Sequence, residues 1–161
     1  MRKSNLRLAN LSIAIFVSIG CIKEKTTSYS ASIINEAVVN VEMIPYRYGV
    51  LASEESIKLN SGDSVKIASG TDYGIVDHAG FDSDFLSNTD SLVVIFSDTF
   101  KVVHYLNDPQ NPSIKFVSGK SERNLLQLES YSYSYLDISK YKRSSTYWYT
   151  FTESDYEYAK Q

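Results

Sequence analysis

Apolar residues recur at every second position through much of the chain, and the period breaks where turn residues gather. Within residues 33–44, Ala37, Val39, Val41 and Met43 share one parity against Asn40 and Glu42, the period of a half-buried strand. Asn35-Glu36 is expected to bend this strand, and Pro45 to end it, because proline has no N–H for a ladder. Two short strands, 56–60 and 64–68, flank Asn60-Ser61-Gly62-Asp63, with Ile57, Leu59, Val65 and Ile67 facing inward. Gly62 supplies the positive φ that such a turn requires. Residues 92–96 are apolar on both faces and read as a central strand. Ser97-Asp98-Thr99 turns it back into a hairpin partner over 100–106.

Further on the apolar runs shorten. Asn107 to Ser113 is dense in turn residues, and 114–117 and 125–128 are brief apolar stretches. Tyr131, Tyr133 and Tyr135 alternate with serines, and residues 139–145 read as a polar, basic loop. The last strand, 146–152, sets Tyr147, Tyr149 and Phe151 against Trp148 on its other face. Thr152 reads as the N-cap of a terminal helix over 153–160, with Glu153 and Asp155 in the first turn, where the helix dipole favours acids. Short strands with dense turns predict an all-β fold, an antiparallel β-sandwich (Ig-like or a partly open barrel) closed by a short C-terminal helix.

The N-terminus follows a different rule. Arg2, Lys3 and Arg7 precede an apolar-dominated run over 8–19, which is shorter than the roughly 20 residues of a spanning helix. This is the layout of a secretory signal. The run ends in Val17-Ser18-Ile19-Gly20-Cys21, and Cys21 is the one cysteine of the chain. That stretch resembles the lipobox of bacterial lipoproteins in its relaxed Bacteroidota-type form, with Ser18 where leucine is usual. The resemblance implies cleavage before Cys21, a diacylglycerol thioether on its sulfur and an acylated amino group of the palmitate kind. It further implies attachment to the outer membrane of the cell envelope, facing the periplasm or the surface. Lys23-Glu24 is weakly similar to the Lys-plus-acid signal that sends some such proteins outward, with Lys25 interrupting the acidic run. The strand and hairpin around 90–106, with Tyr149-Thr150-Phe151-Thr152-Glu153 near the end, look like many small Bacteroidota lipoproteins. That likeness implies a compartment and a fold type, and carries no catalytic residue. The expected organisation is a signal over 1–20, a lipidated N-terminus and flexible tether over 21–32, and one β-rich domain over 33–161.

Charge narrows the partners. The chain carries −3 overall and its signal carries three basic residues and no acid, which leaves −6 on the remainder. A mildly acidic domain does not suit nucleic acid, which needs basic patches. The expected membrane contact is the lipid anchor alone. Thirteen tyrosines point to pleated, aromatic surfaces.

Candidate chemistry is sparse. The two histidines, His78 and His104, are far apart in sequence and make no paired zinc motif. His104 alternates with Val102 on a predicted strand and reads as a hydrogen-bonded structural residue. His78 lies in the long acidic loop over 69–91, among Asp72, Asp77, Asp82, Asp84 and Asp90, and is the better site candidate. Asp82-Ser83-Asp84 opens like a calcium loop, but Leu86, Ser87 and Val93 stand where an oxygen ligand, a glycine and a glutamate belong. An irregular calcium site using Asp77, Asp82, Asp84 and Asp90 is the alternative to a solvated loop. Ser118-Gly119-Lys120-Ser121 mimics the end of a P-loop, with Ile114 where its first glycine should be.

The aromatic segments 131–135 and 147–149 are expected to pair as neighbouring strands, with alternate rings filling the core. Tyr133, Tyr135 and Trp148 are the candidate contacts for a glycan or a protein. The reading is therefore a lipid-anchored binding or accessory module with no cofactor and no metal. Its rivals are an envelope hydrolase using His78 with Asp77, Asp82 or Asp84, and a structural subunit of an envelope complex.

Overall fold

The computed structural model describes residues 24–74 and 81–161. Among them ten strands form two sheets, followed by one α-helix. The strands are β1 Thr26–Asn35, β2 Val41–Arg47, β3 Val50–Leu51, β4 Ile57–Leu59, β5 Ser64–Tyr73, β6 Thr89–Phe96, β7 Phe100–Tyr105, β8 Phe116–Val117, β9 Ser132–Ser139 and β10 Lys142–Phe151. The helix is α1, Glu153–Lys160. One sheet has the order β5-β1-β10-β9, and the other β3-β2-β6-β7-β8 with β4 also paired to β2. The fold is an all-β sandwich with a short C-terminal helix, as the sequence pattern predicts, and neither sheet closes into a barrel. Both sheets are mixed and not antiparallel throughout: β1 runs parallel to β10, and β7 parallel to β8.

The core lies between the sheets. Ala31, Ile33, Tyr147, Tyr149 and Phe151 come from one, and Val41, Met43, Leu92, Val94 and Phe96 from the other, all buried in a single cluster. Phe96 meets Phe151 edge-on across the interface, with ring centroids 5.7 Å apart. The helix seals one end of the sandwich through Tyr156, which packs against Phe96 and Phe100. At its start, the Asp155 carboxylate accepts from the Thr152 N–H at 2.8 Å and from the Thr152 hydroxyl at 2.9 Å. The N-cap is where the sequence puts it.

Five expectations need correction. The loop over 69–91 is shorter than expected at both ends, because β5 runs on to Tyr73 and β6 begins at Thr89, which puts Asp72 and Asp90 on strands. The tether over 21–32 does not extend that far, because Thr26–Ser32 belongs to β1 and the folded unit starts well before residue 33. Its inward positions are Thr27, Tyr29 and Ala31, too small or too polar to register as an apolar period. The stretch 33–44 is two strands in different sheets, divided at Asn35. Pro45 lies inside β2, opposite Leu92. Its carbonyl accepts from Ala52, on the edge where β4 pairing stops at Met43 and β3 pairing starts at Tyr46, so its missing donor leaves no ladder partner unmatched. Residues 139–145 are a tight hairpin end between β9 and β10 and not a loop.

Strands β4 and β5 also leave their shared turn in different directions, one joining β2 and the other β1. Gly62 in that turn has φ of +83°, the conformation expected of it.

Candidate functional site

Two segments outside the sheets build the wall of a groove. The first is the turn over 81–88. Buried Ser83 donates its hydroxyl to the Ile67 carbonyl at 2.8 Å, and the Ser87 N–H closes the turn on the Ser83 carbonyl at 2.7 Å. Arg47, at the end of β2, clamps the same turn: its guanidinium donates to the carbonyls of Asp84 (2.7 Å), Phe85 (3.2 Å) and Ser87, and pairs with Glu55 at 2.5 Å. Nothing in the sequence period singles out Arg47, because the carbonyls it reads are 37 to 40 residues away.

The second segment spans 118–131 and is pinned by His104 and Tyr149 from the sheets and by its own Asn124 and Tyr131. His104 accepts the Leu125 N–H at its Nδ1 (3.0 Å), Tyr131 donates to the Leu125 carbonyl (3.1 Å), and Tyr149 to the Arg123 carbonyl (2.9 Å). Fully buried Asn124 donates to the carbonyls of Tyr105 (2.7 Å) and Ser118 (2.9 Å), and accepts from Leu126 (2.9 Å). Burial pushes the Tyr131 and Tyr149 phenols far above their ordinary range, so both act as neutral donors. His104 is the structural histidine the sequence suggests, with burial pushing it down to about 4.

Between these segments lies a cavity of about 610 Å³, lined on one side by Phe81, Asp82, Asp84 and Leu86, and on the other by Leu126, Leu128 and Tyr131. A smaller cavity of about 260 Å³ continues from Leu128 and Tyr131 to Glu129, Tyr133 and Tyr147. The floor is aromatic: Phe81 stands edge-on to Tyr131 at 5.0 Å, and Tyr133 stacks on Tyr147 at 6.2 Å. The rim is acidic, with Asp82 and Asp84 exposed on one side and Glu129 on the other. The acidic loop and the aromatic ladder thus meet in one groove.

Of the residues singled out from sequence, Tyr133 lines this groove. Tyr135 does not: it lies beneath the Arg143 guanidinium, 4.2 Å from ring centroid, beside the Arg143–Asp137 ion pair at 2.6 Å. Trp148 is on the opposite face of its sheet, turned from the buried Tyr147 and Tyr149. Cys21, Asp77 and His78 lie outside the described residues. Asp90 is not gathered with Asp82 and Asp84, since its carboxylate accepts from the Gly49 N–H at 2.9 Å. The P-loop mimic is filled by the protein itself. Asp108 accepts from Gly119 N–H (2.7 Å) and from the Ser118 hydroxyl (2.8 Å), which holds its carboxyl below the ordinary range.

Compared with protein-family models, curated proteins and solved structures, the chain matches none.

Proposed function

We propose that the chain is a lipid-anchored, non-enzymatic binding module of the bacterial cell envelope, whose groove takes a peptide segment of mixed apolar and basic character. The observation that carries this reading is the convergence of Phe81, Leu128, Tyr131 and Tyr133 on one cleft under the carboxylates of Asp82, Asp84 and Glu129. An apolar, aromatic floor rewards burial of aliphatic or aromatic side chains, and a rim of one sign steers the opposite charge toward it. The net charge of −6 outside the signal points the same way.

Full-length chain in detergent is expected to bind fluorescent Lys/Leu/Tyr peptides in an anisotropy titration and to ignore Glu/Leu/Tyr peptides. Tyr133→Ala, at a half-exposed ring, is expected to weaken binding at least tenfold without altering the thermal midpoint. Equal affinity in that variant, or equal affinity for both peptides, overturns the assignment.

The anchor reading rests on the signal-like N-terminus ending at Cys21. The Lys25 carbonyl already accepts from the Gly74 N–H at 2.7 Å, so the chain is fixed from there onward. Four residues reach at most about 14 Å when extended, which would hold the domain close to the lipid surface. Radiolabelled palmitate is expected to enter the parent chain in bacterial cells and not Cys21→Ser. Label that persists in the variant removes the anchor, and with it the localisation.

A further inference from the structure

The outer face of the β5-β1-β10-β9 sheet lies outside the core and meets the groove's acidic rim at β5, where Lys66 and Ser69 share a cavity of about 420 Å³ with Asp82 and Asp84. Residues opposite one another in a ladder share a face, so the pairing register gives its rows directly. One row runs Ser132, Trp148, Ser32, Lys66 across β9, β10, β1 and β5. The next runs Ser134, Thr146, Ser30, Ser69. A third runs Leu136, Ser144, Ser28, Thr71 across the same four strands. None of these residues is buried, and no carboxylate stands in any of the rows. The result is a lattice of hydroxyls spaced about 4.8 Å between strands and about 6.7 Å along them, with one indole set in it and Leu136 at its β9 edge.

We propose that this face binds a neutral, ribbon-like β-linked polysaccharide lying flat across the strands, with a sugar ring stacked on Trp148. Serine and threonine hydroxyls both donate and accept, which matches the hydroxyls along a sugar chain. Tryptophan brings a large apolar ring face to the apolar face of a pyranose. Other occupants fit worse. Protein interfaces are depleted in serine. A nucleic acid needs a cationic footprint, and these rows offer only Lys66. The one aliphatic residue of these rows, Leu136, is exposed at the β9 edge and makes no belt for lipid. Trp148 lines neither cavity of the peptide groove, and neither assignment depends on the other.

Trp148 is the one tryptophan of the chain, so its fluorescence reports this face alone. Titration of full-length chain in detergent with cellohexaose and chitohexaose is expected to shift and quench its emission, and the chain is expected to be retained on insoluble cellulose or chitin and not on granular starch. Trp148→Ala is expected to lose retention at least tenfold. Thr146→Glu keeps the indole but places a charge in the lattice, and is expected to lose at least fivefold. Tyr133→Ala, in the groove, is expected to be retained like the parent. No spectral change at millimolar oligosaccharide, or undiminished retention of Trp148→Ala, overturns the proposal.

Discussion

Asn35→Ala is expected to lower the unfolding free energy by about 4 kcal/mol, and the calorimetric midpoint of the full-length chain by roughly 12 °C. Asn35 is fully buried at the end of β1. Its amide nitrogen donates to the carbonyls of Val39 (2.8 Å), Leu59 (3.2 Å) and Asn60 (3.1 Å), and its oxygen accepts from Ala37 (3.1 Å). Its backbone is held as well, with its N–H donating to Asp63 and its carbonyl accepting from Gly62. One residue thus ties the crossover between the sheets to the turn joining β4 and β5. Alanine leaves the Leu59 carbonyl and the Ala37 N–H buried without these partners, at about 1–3 kcal/mol for each one orphaned. Asn60→Ala, which removes an exposed side chain bonded to Asp63, is expected to cost less than about 1 kcal/mol. Equal losses at the two positions would mean that the Asn35 network does not hold the crossover.

The same residue marks where sequence reading stops. Period-two alternation finds strands that carry large apolar residues inward, and it placed β6, β7, β10 and the capped helix. It also gave the pairing of the tyrosine segments, since Tyr133 faces Tyr147 across β9 and β10. It misses β1, whose outward serines and inward Thr27, Tyr29 and Ala31 differ little in polarity. It cannot divide 33–44 between two sheets, because the division is made by a side chain bonding carbonyls more than twenty residues away. Tyr133 could be proposed as a contact from its alternation alone. Phe81, Leu128 and Glu129 could not, because they reach the groove through turns fixed by Arg47, His104 and Asn124. The hydroxyl lattice around Trp148 was hidden for a related reason: its rows run across four strands and exist only once the register is known.

His104 makes a pH window the second large expected effect. Its side chain is 3% exposed, and burial lowers it from 6.5 to about 4, with Asp155 opposing and Arg123 adding to the shift. The folded protein therefore holds the neutral ring, and the unfolded chain takes up a proton first as pH falls. Stability from this group is fully present above about pH 6.5 and is lost progressively down to about pH 4, a change of about 3 kcal/mol. The geometry gives the cost a structural cause, because Nδ1 must stay deprotonated to accept the Leu125 N–H. Asp108 and Asp137 titrate elsewhere. Hydrogen bonds from Gly119 and Ser118, and from Arg143, lower their carboxyls below 3.8, so their contributions are lost only beneath that pH. Urea unfolding measured at half-unit steps from pH 7.5 to 4 is expected to trace the decline in the parent chain. His104→Gln presents an amide oxygen to the same N–H and cannot titrate, so its curve is expected to be nearly flat over that window at a lower plateau. A decline of equal size in the variant would assign the window to another group. Since Leu125 and the rest of the 118–131 segment form one wall of the groove, peptide binding at Tyr133 is expected to weaken over the same pH range in the parent and to hold steady in His104→Gln.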